Sequence, residues 1–143
     1  MGTYQLFTDA TADCNPQMLE SLPAVKVIPM QLEIAGGEYT YGPGGTISPA
    51  AFYALQRAGH YATTSQINLN AYLQCFESAL QAGMDILYLC FSSGMSGTLQ
   101  SANLCAEELR EEYPARRLIV LDTLCASVGQ AMLVREAARK QQE

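Results

Sequence analysis

The sequence predicts an α/β fold with a mainly parallel sheet. Three observations predict it. Strand-like and helix-like segments alternate along the chain. Two of the strand-like runs, Ile86–Phe91 and Leu118–Leu121, are continuously apolar, as strands covered on both faces are. Three Ser/Thr/Gly clusters, Thr8–Asp13, Ser92–Thr98 and Asp122–Ser127, each follow an apolar run and open onto a helix. In a parallel sheet such strand-to-helix loops share one edge, so these hydroxyls and free backbone N–H groups are expected to meet there and to suit a small anionic head group.

The elements follow in order. Residues 3–8 read as a first strand. Asn15 caps a short helix with Pro16 in its first turn. Residues 24–30, rich in Val and Ile, read as a second strand, and residues 31–34 alternate polar and apolar like a half-exposed strand. Gly36-Gly37 turns the chain, and residues 39–46, with three glycines and a proline, read as loop. Ser48 and Pro49 start a helix that Gly59 ends. Residues 62–66 form a polar connector. Asn68 or Asn70 starts a longer helix with Tyr72, Leu73, Phe76 and Leu80 at helical spacing, closed by Gly83. A helix over 98–113 ends at Pro114, and a last helix covers about 127–140.

At 143 residues with 49% hydrophobic content the chain suits one domain with a real core. It ends soon after a helix without a stop signal, which reads as one domain of a longer protein. No apolar run reaches the roughly 20 residues of a membrane span, and no leader is visible. Net charge is −6, and the Lys and Arg residues mix with Glu toward the C-terminus, as on solvated helix faces. No basic stripe marks a nucleic-acid surface. Five scattered cysteines without a CxxC pair, beside a single histidine, argue against structural zinc and fit a reducing cytoplasm. Cys75, Cys90 and Cys105 read as core; Cys14 and Cys125 lie beside the clusters.

The segment Ser92–Thr98 resembles a phosphate-binding turn. Gly94 and Gly97 permit close approach, and the helix that follows offers unpaired N–H groups. It matches neither G-x-x-x-x-G-K-[ST] nor G-x-G-x-x-G, which disfavours nucleoside triphosphates. Helix capping alone also accounts for Ser93 or Ser96. A serine nucleophile needs a base, and His60 stands in a distant turn; the elbow G-x-S-x-G is absent. Asp9 and Asp13 alone are a weak metal set, and capping or loop bracing suits Asp13 better. Thr63, Thr64, Ser65 and Gln66 place three hydroxyls and an amide in one connector, more than turn chemistry needs.

Taken in order, Thr8–Asp13, Val27–Met30, Ile47-Ser48 with Phe52-Tyr53, Thr63–Gln66, Ser92–Thr98 with Gln100–Ala102, Glu111–Pro114 and Asp122–Ser127 with Gly129 resemble the DegV family, which includes the bacterial FakB-type fatty-acid-binding proteins. The resemblance spans nearly the whole chain. It implies a three-layer α/β/α domain over residues 1–143, the N-terminal half of a two-domain cytoplasmic carrier. It implies a long-chain fatty acid as ligand, a fatty acid kinase as partner, no cofactor and no catalysis by this chain. Carried over by position, Thr64 and Ser96 bind the carboxylate. Thr63, Ser65, Ser93, Gly94, Gly97, Asp9 and Thr11 are possible rim residues. Met30, Phe52, Tyr72, Phe76, Met95 and Leu99 are candidates for the acyl tunnel. Ala10, where members often carry Ser, removes one hydroxyl; Gly42–Gly45 departs from the family in a surface loop. Two other readings compete: an enzyme acting on a small phosphorylated or carboxylated metabolite through Ser93 or Ser96 with Asp122, and a structural or regulatory module.

Overall fold

Polar caps start three helices where the sequence predicts. Asn15 Oδ1 accepts from the Met18 amide at 2.8 Å, Ser48 Oγ from Ala51 at 3.2 Å, and Asn68 Oδ1 from Ala71 at 3.0 Å. Each satisfies an amide that the first helical turn leaves unpaired. These helices are α1 (Pro16–Ser21), α2 (Pro49–Arg57) and α3 (Leu69–Gln81). The last two are α4 (Thr98–Glu112) and α5 (Ser127–Gln141). The computed structural model describes residues 4–22 and 24–143. Thr3, expected in the first strand, lies outside them.

The main sheet is parallel, in the order β2 (Val25–Ile28), β1 (Tyr4–Asp9), β6 (Asp85–Cys90), β7 (Leu118–Asp122). One face packs Phe7, Ile28, Ile86, Tyr88 and Leu118 against Tyr72, Phe76 and Leu80 of α3 and Ala102, Cys105 and Leu109 of α4. The other packs Leu6 and Leu89 against Val134 and Ala138 of α5, with Met18 of α1 beside them. Helices therefore cover both faces, and the expected three layers are present.

Four expectations change. The second strand does not run to Met30: it breaks at Pro29, whose ring fixes φ and removes the ladder donor. Beyond Pro29 the chain enters a separate three-stranded antiparallel sheet. Here β3 (Met30–Ile34) pairs with β4 (Gly37–Tyr41) across Ala35 and Gly36, both at positive φ, the geometry of a two-residue hairpin. Residues 39–41 are thus strand, not loop. The glycines and proline of residues 42–45 masked an alternation in which Tyr39 and Tyr41 pack with Phe52 and Leu55 around buried Leu32, Ile34 and Ile47. The polar connector also contributes a two-residue strand, β5 (Thr63–Thr64), with Thr64 opposite Leu32. Finally, β7 is an edge strand covered on one face only. Ile119 and Leu121 remain 52% and 47% exposed, because α5 lies over β1 and β6 rather than over β7.

Among the described residues no helix is long and apolar enough to cross a membrane, and no cluster of His, Cys, Asp and Glu could hold a metal. The expected solvated charges occur on α5, where Arg139 pairs with Glu136 and Glu143. Such exposed pairs contribute little.

Candidate functional site

The chain leaves β1 through α1 toward one face of the main sheet and leaves β6 through α4 toward the other. Loops departing to opposite sides open a crevice beyond the carboxyl ends of the two strands, where α/β proteins place ligands. A cavity of about 280 Å³ lies there. The main sheet lines it with Asp9, Thr11, Phe91, Met95, Ser96 and Thr98; the small sheet and its exit lines it with Met30, Thr64, Ser65, Gln66 and Ile67. Two separately folded sheets thus bring Thr64 and Ser96 to one cavity.

Of the other expected rim residues, Asp9, Thr11 and Ser65 line this cavity, and Thr63 and Gly94 do not. Ser93 and Gly97 line a more open groove of about 430 Å³ along α4, which Ser96 also borders, with Leu99, Gln100, Asn103, Leu104 and Glu107. Ser96 is the wall between the two. Gln66 lies against Gly97, where a Cβ would stand 2.6 Å from its Nε2. Met30 and Met95 belong to the cavity and Leu99 to the groove; Tyr72 and Phe76 are core of the main sheet, and Phe52 packs in the small one.

The loop serines have local work. Ser96 Oγ accepts from the Thr98 amide at 3.2 Å and stands 3.0 Å from Thr98 Oγ1. Ser93 does not cap α4; its Oγ donates to Asp122 Oδ2 at 2.5 Å, and its amide donates to Asp122 Oδ1. The Asp122–Ser127 cluster therefore braces the site from behind. The Ser92 amide donates to Cys125 O, and Thr123 Oγ1 donates to Cys90 O at 2.7 Å. The bond from Ser93 and that from the Leu124 amide hold the Asp122 carboxyl below its usual range, which makes it a poor base for activating Ser93. His60 lines neither space. Asp13 closes the short 3-10 helix Ala10–Ala12: it sits at φ 50° with its amide donating to Ala10 O at 3.1 Å, and its carboxylate accepts from Tyr41 Oη at 3.3 Å, linking the two sheets.

Beneath the cavity lies a polar network that the motifs did not reveal. Asp9 is fully buried. Its Oδ1 accepts from the amide and hydroxyl of Thr11. Its Oδ2 accepts from Tyr88 Oη at 2.7 Å, the Phe91 amide at 3.2 Å and Gln130 Nε2 at 3.3 Å. Gln130, also fully buried, contacts Thr8 Oγ1 at 3.1 Å and Thr11 Oγ1 at 3.0 Å. Tyr72 Oη stands 3.0 Å from Tyr88 Oη. One signal was available: Gln130 shares a helical stripe with Ala131, Val134 and Ala138, and a polar residue on an apolar stripe needs buried partners.

Burial, and for Tyr88 the Asp9 charge, raises the pKa of Tyr72 and Tyr88. Burial and Asp13 push Tyr41 up to about 12. The folded chain thus holds these protons more tightly than the unfolded one. Their contribution is intact below about pH 10 and is lost as pH rises through the folded values. Urea midpoints measured between about pH 9 and about pH 12 should fall steadily, and Tyr88→Phe should flatten that fall.

Fold and crevice together define a three-layer α/β protein with a cavity at its switch point. The sequence pattern of a family described as an uncharacterised protein, DegV family, matches residues 3–143. The chain belongs to the DegV family. A DegV domain-containing protein of Clostridium perfringens is 35% identical over 143 residues, all of this chain and 49% of its own length. One of Lactococcus lactis is 36% identical over 96% of this chain and 47% of its own. The chain therefore spans about half the length of these curated relatives. Among solved structures, a DegV family protein from Thermus thermophilus, described as binding fatty acid, superimposes with a TM-score of 0.80 at 30% identity, over 99% of this chain and 48% of that one. A stearic-acid-binding protein from Eubacterium ventriosum has a TM-score of 0.87 at 22% identity, over 98% and 48%, and shows the shared fold.

Proposed function

We propose that this chain holds a long-chain fatty acid, with its head group between Thr64 and Ser96, and presents it to a fatty acid kinase that forms the acyl phosphate. The observation that carries this reading is that Thr64 and Ser96, from different sheets, line one cavity at the switch point. The fatty-acid binding described for the Thermus thermophilus relative supports it. Residues 1–143 are then one half of a two-domain cytoplasmic carrier, the other half adding groups to the same site. The kinase supplies the phosphoryl-transfer chemistry.

The energetics fit a carrier. Burying a chain of about 16 carbons yields roughly 11 kcal/mol gross, at about 0.8 kcal/mol per CH₂ and before ordering costs. The cavity is slightly below the roughly 300–1,000 Å³ of ordinary ligand pockets, which suits a head group and the first methylenes. Met30, Ile67, Phe91 and Met95 supply its apolar wall, along which the tail departs. Hydroxyls orient the head group without enclosing it, as an arginine clamp would.

Native mass spectrometry of the chain incubated with palmitate should show a one-to-one adduct. Adding a fatty acid kinase and ATP should then yield an acyl phosphate that hydroxylamine traps as the hydroxamate. Absence of the adduct rejects the binding role; an adduct without hydroxamate rejects the kinase role.

A further inference from the structure

Resting on the fatty-acid reading, we propose that the Gln66 carboxamide is a third ligand of the acid's head group, and that the bare Cα of Gly97 is the seat that holds it there. Gln66 lines the cavity beside Thr64, Ser65 and Ser96. Its backbone is the crossing point between the two sheets and is fixed on both sides. On one side the Ser65 amide donates to Gln31 O at 3.3 Å, which ties the exit of β5 to β3. On the other, Ile67 is buried in the core of the main sheet and Asn68 caps α3. A side chain mounted between two anchored neighbours starts from a set position, so less freedom is lost when it takes a ligand.

The far end of the side chain has its own seat. It reaches the start of α4, where a Cβ added to Gly97 would stand 2.6 Å from Gln66 Nε2, 3.1 Å from Oε1 and 3.2 Å from Cδ. The backbone does not ask for glycine here. Gly97 has φ −75° and ψ 4°, and Ala58 and Ala82 adopt nearly the same angles, φ −78° with ψ 1° and φ −74° with ψ 2°. Capping does not ask for it either. As the N-cap of α4, Gly97 makes no side-chain bond at a position where Ser, Thr, Asn and Asp serve better. What the missing side chain provides is room for the amide, which thereby ties the Thr64 side of the cavity to the Ser96 side. The chemistry suits the head group. A carboxylate accepts at about four lone-pair sites, and each hydroxyl has one proton to give. A carboxamide adds two N–H donors and no charge, so it strengthens the grip without the bidentate enclosure of a guanidinium.

The test is palmitate binding to the full chain, read by displacement of a fluorescent fatty acid, with hexadecanol as a ligand that keeps the tail and lacks the carboxylate. Gln66→Ala and Gly97→Ala should each weaken palmitate about tenfold to a hundredfold, the loss of one bond to a charged group. Gly97→Ala should do so without lowering Tm, because alanine suits this backbone and the atom it displaces is the free end of a flexible side chain. Added to Gln66→Ala, it should cost less than about threefold more, since both substitutions act on one amide. Gln66→Met, which keeps the length and gives up the donors, should lose as much as Gln66→Ala. Hexadecanol, whose hydroxyl carries no charge, should lose no more than about threefold in any of these variants. Palmitate bound by Gln66→Met as by the parent, losses that multiply in the double variant, or hexadecanol weakened as much as palmitate would each overturn the inference and leave the carrier reading standing. A parent chain that binds neither ligand overturns both.

Discussion

The double variant Thr64→Ala, Ser96→Ala should bind palmitate about a thousandfold more weakly than the unaltered chain. Each hydroxyl removed leaves a buried polar atom of the ligand without its partner, a loss of about 1–3 kcal/mol. Two such losses, at about 1.4 kcal/mol per tenfold, amount to roughly 30-fold to 10⁴-fold in Kd. The single variants should each fall short of the double, since both hydroxyls line one cavity from separate sheets. Displacement of a fluorescent fatty acid measures this directly. Stability serves as the control. Thr64 is exposed on a two-residue strand, and Ser96 makes only local contacts, with the Thr98 amide and hydroxyl, so thermal unfolding should shift only a little. A double variant whose Kd stays within about threefold of the parent would remove these residues from the binding site.

Phe76→Ala should be the most damaging substitution for the fold, at about 3–5 kcal/mol. Phe76 is fully buried between layers, edge-on to Phe7 with centroids 5.2 Å apart and beside Tyr72 and Tyr88 at 5.5 and 5.6 Å. Its removal takes away both transfer free energy and the aromatic contacts, and the rigid neighbours around it collapse only partly. A fall in Tm of about 10 °C or more is expected for a chain of this size, read by far-ultraviolet circular dichroism. The damage should reach the ligand as well. Tyr72 and Tyr88, which pack on Phe76, carry the hydroxyl chain that ends on Asp9 beneath the cavity. Phe76→Leu, which refills most of the volume, should recover most of the stability; a Phe76→Ala protein as stable as its parent would contradict this packing.

Much of the fold was legible because it rests on local chemistry. Asn15, Ser48 and Asn68 cap helices through their own side chains within three residues. Gly83 adopts positive φ where α3 ends, and Pro114 follows α4. The apolar run in β6 declares a central strand. The failures share a cause: each depends on a partner distant in sequence. Residues 39–41 look like loop until β3 lies beside them and the Tyr39 and Tyr41 rings find Phe52 and Leu55. Leu118–Leu121 looks doubly buried because periodicity reports only that a strand is apolar, not which helix covers it.

The site divides in the same way. Sequence alone determined the hydroxyl-rich loops, their place at strand ends, the caps and the family to which the chain belongs, because short-range patterns and turn residues specify these. Tertiary structure decided which hydroxyls share a cavity, that Ser93 and Gly97 open instead onto the α4 groove, and that Asp9 is buried under five hydrogen bonds from Thr11, Tyr88, Phe91 and Gln130. The physical reason is that a buried carboxylate is tolerable only when several donors surround it at once. Those donors lie up to 121 residues away along the chain, so only the packed sheet and helices bring them together.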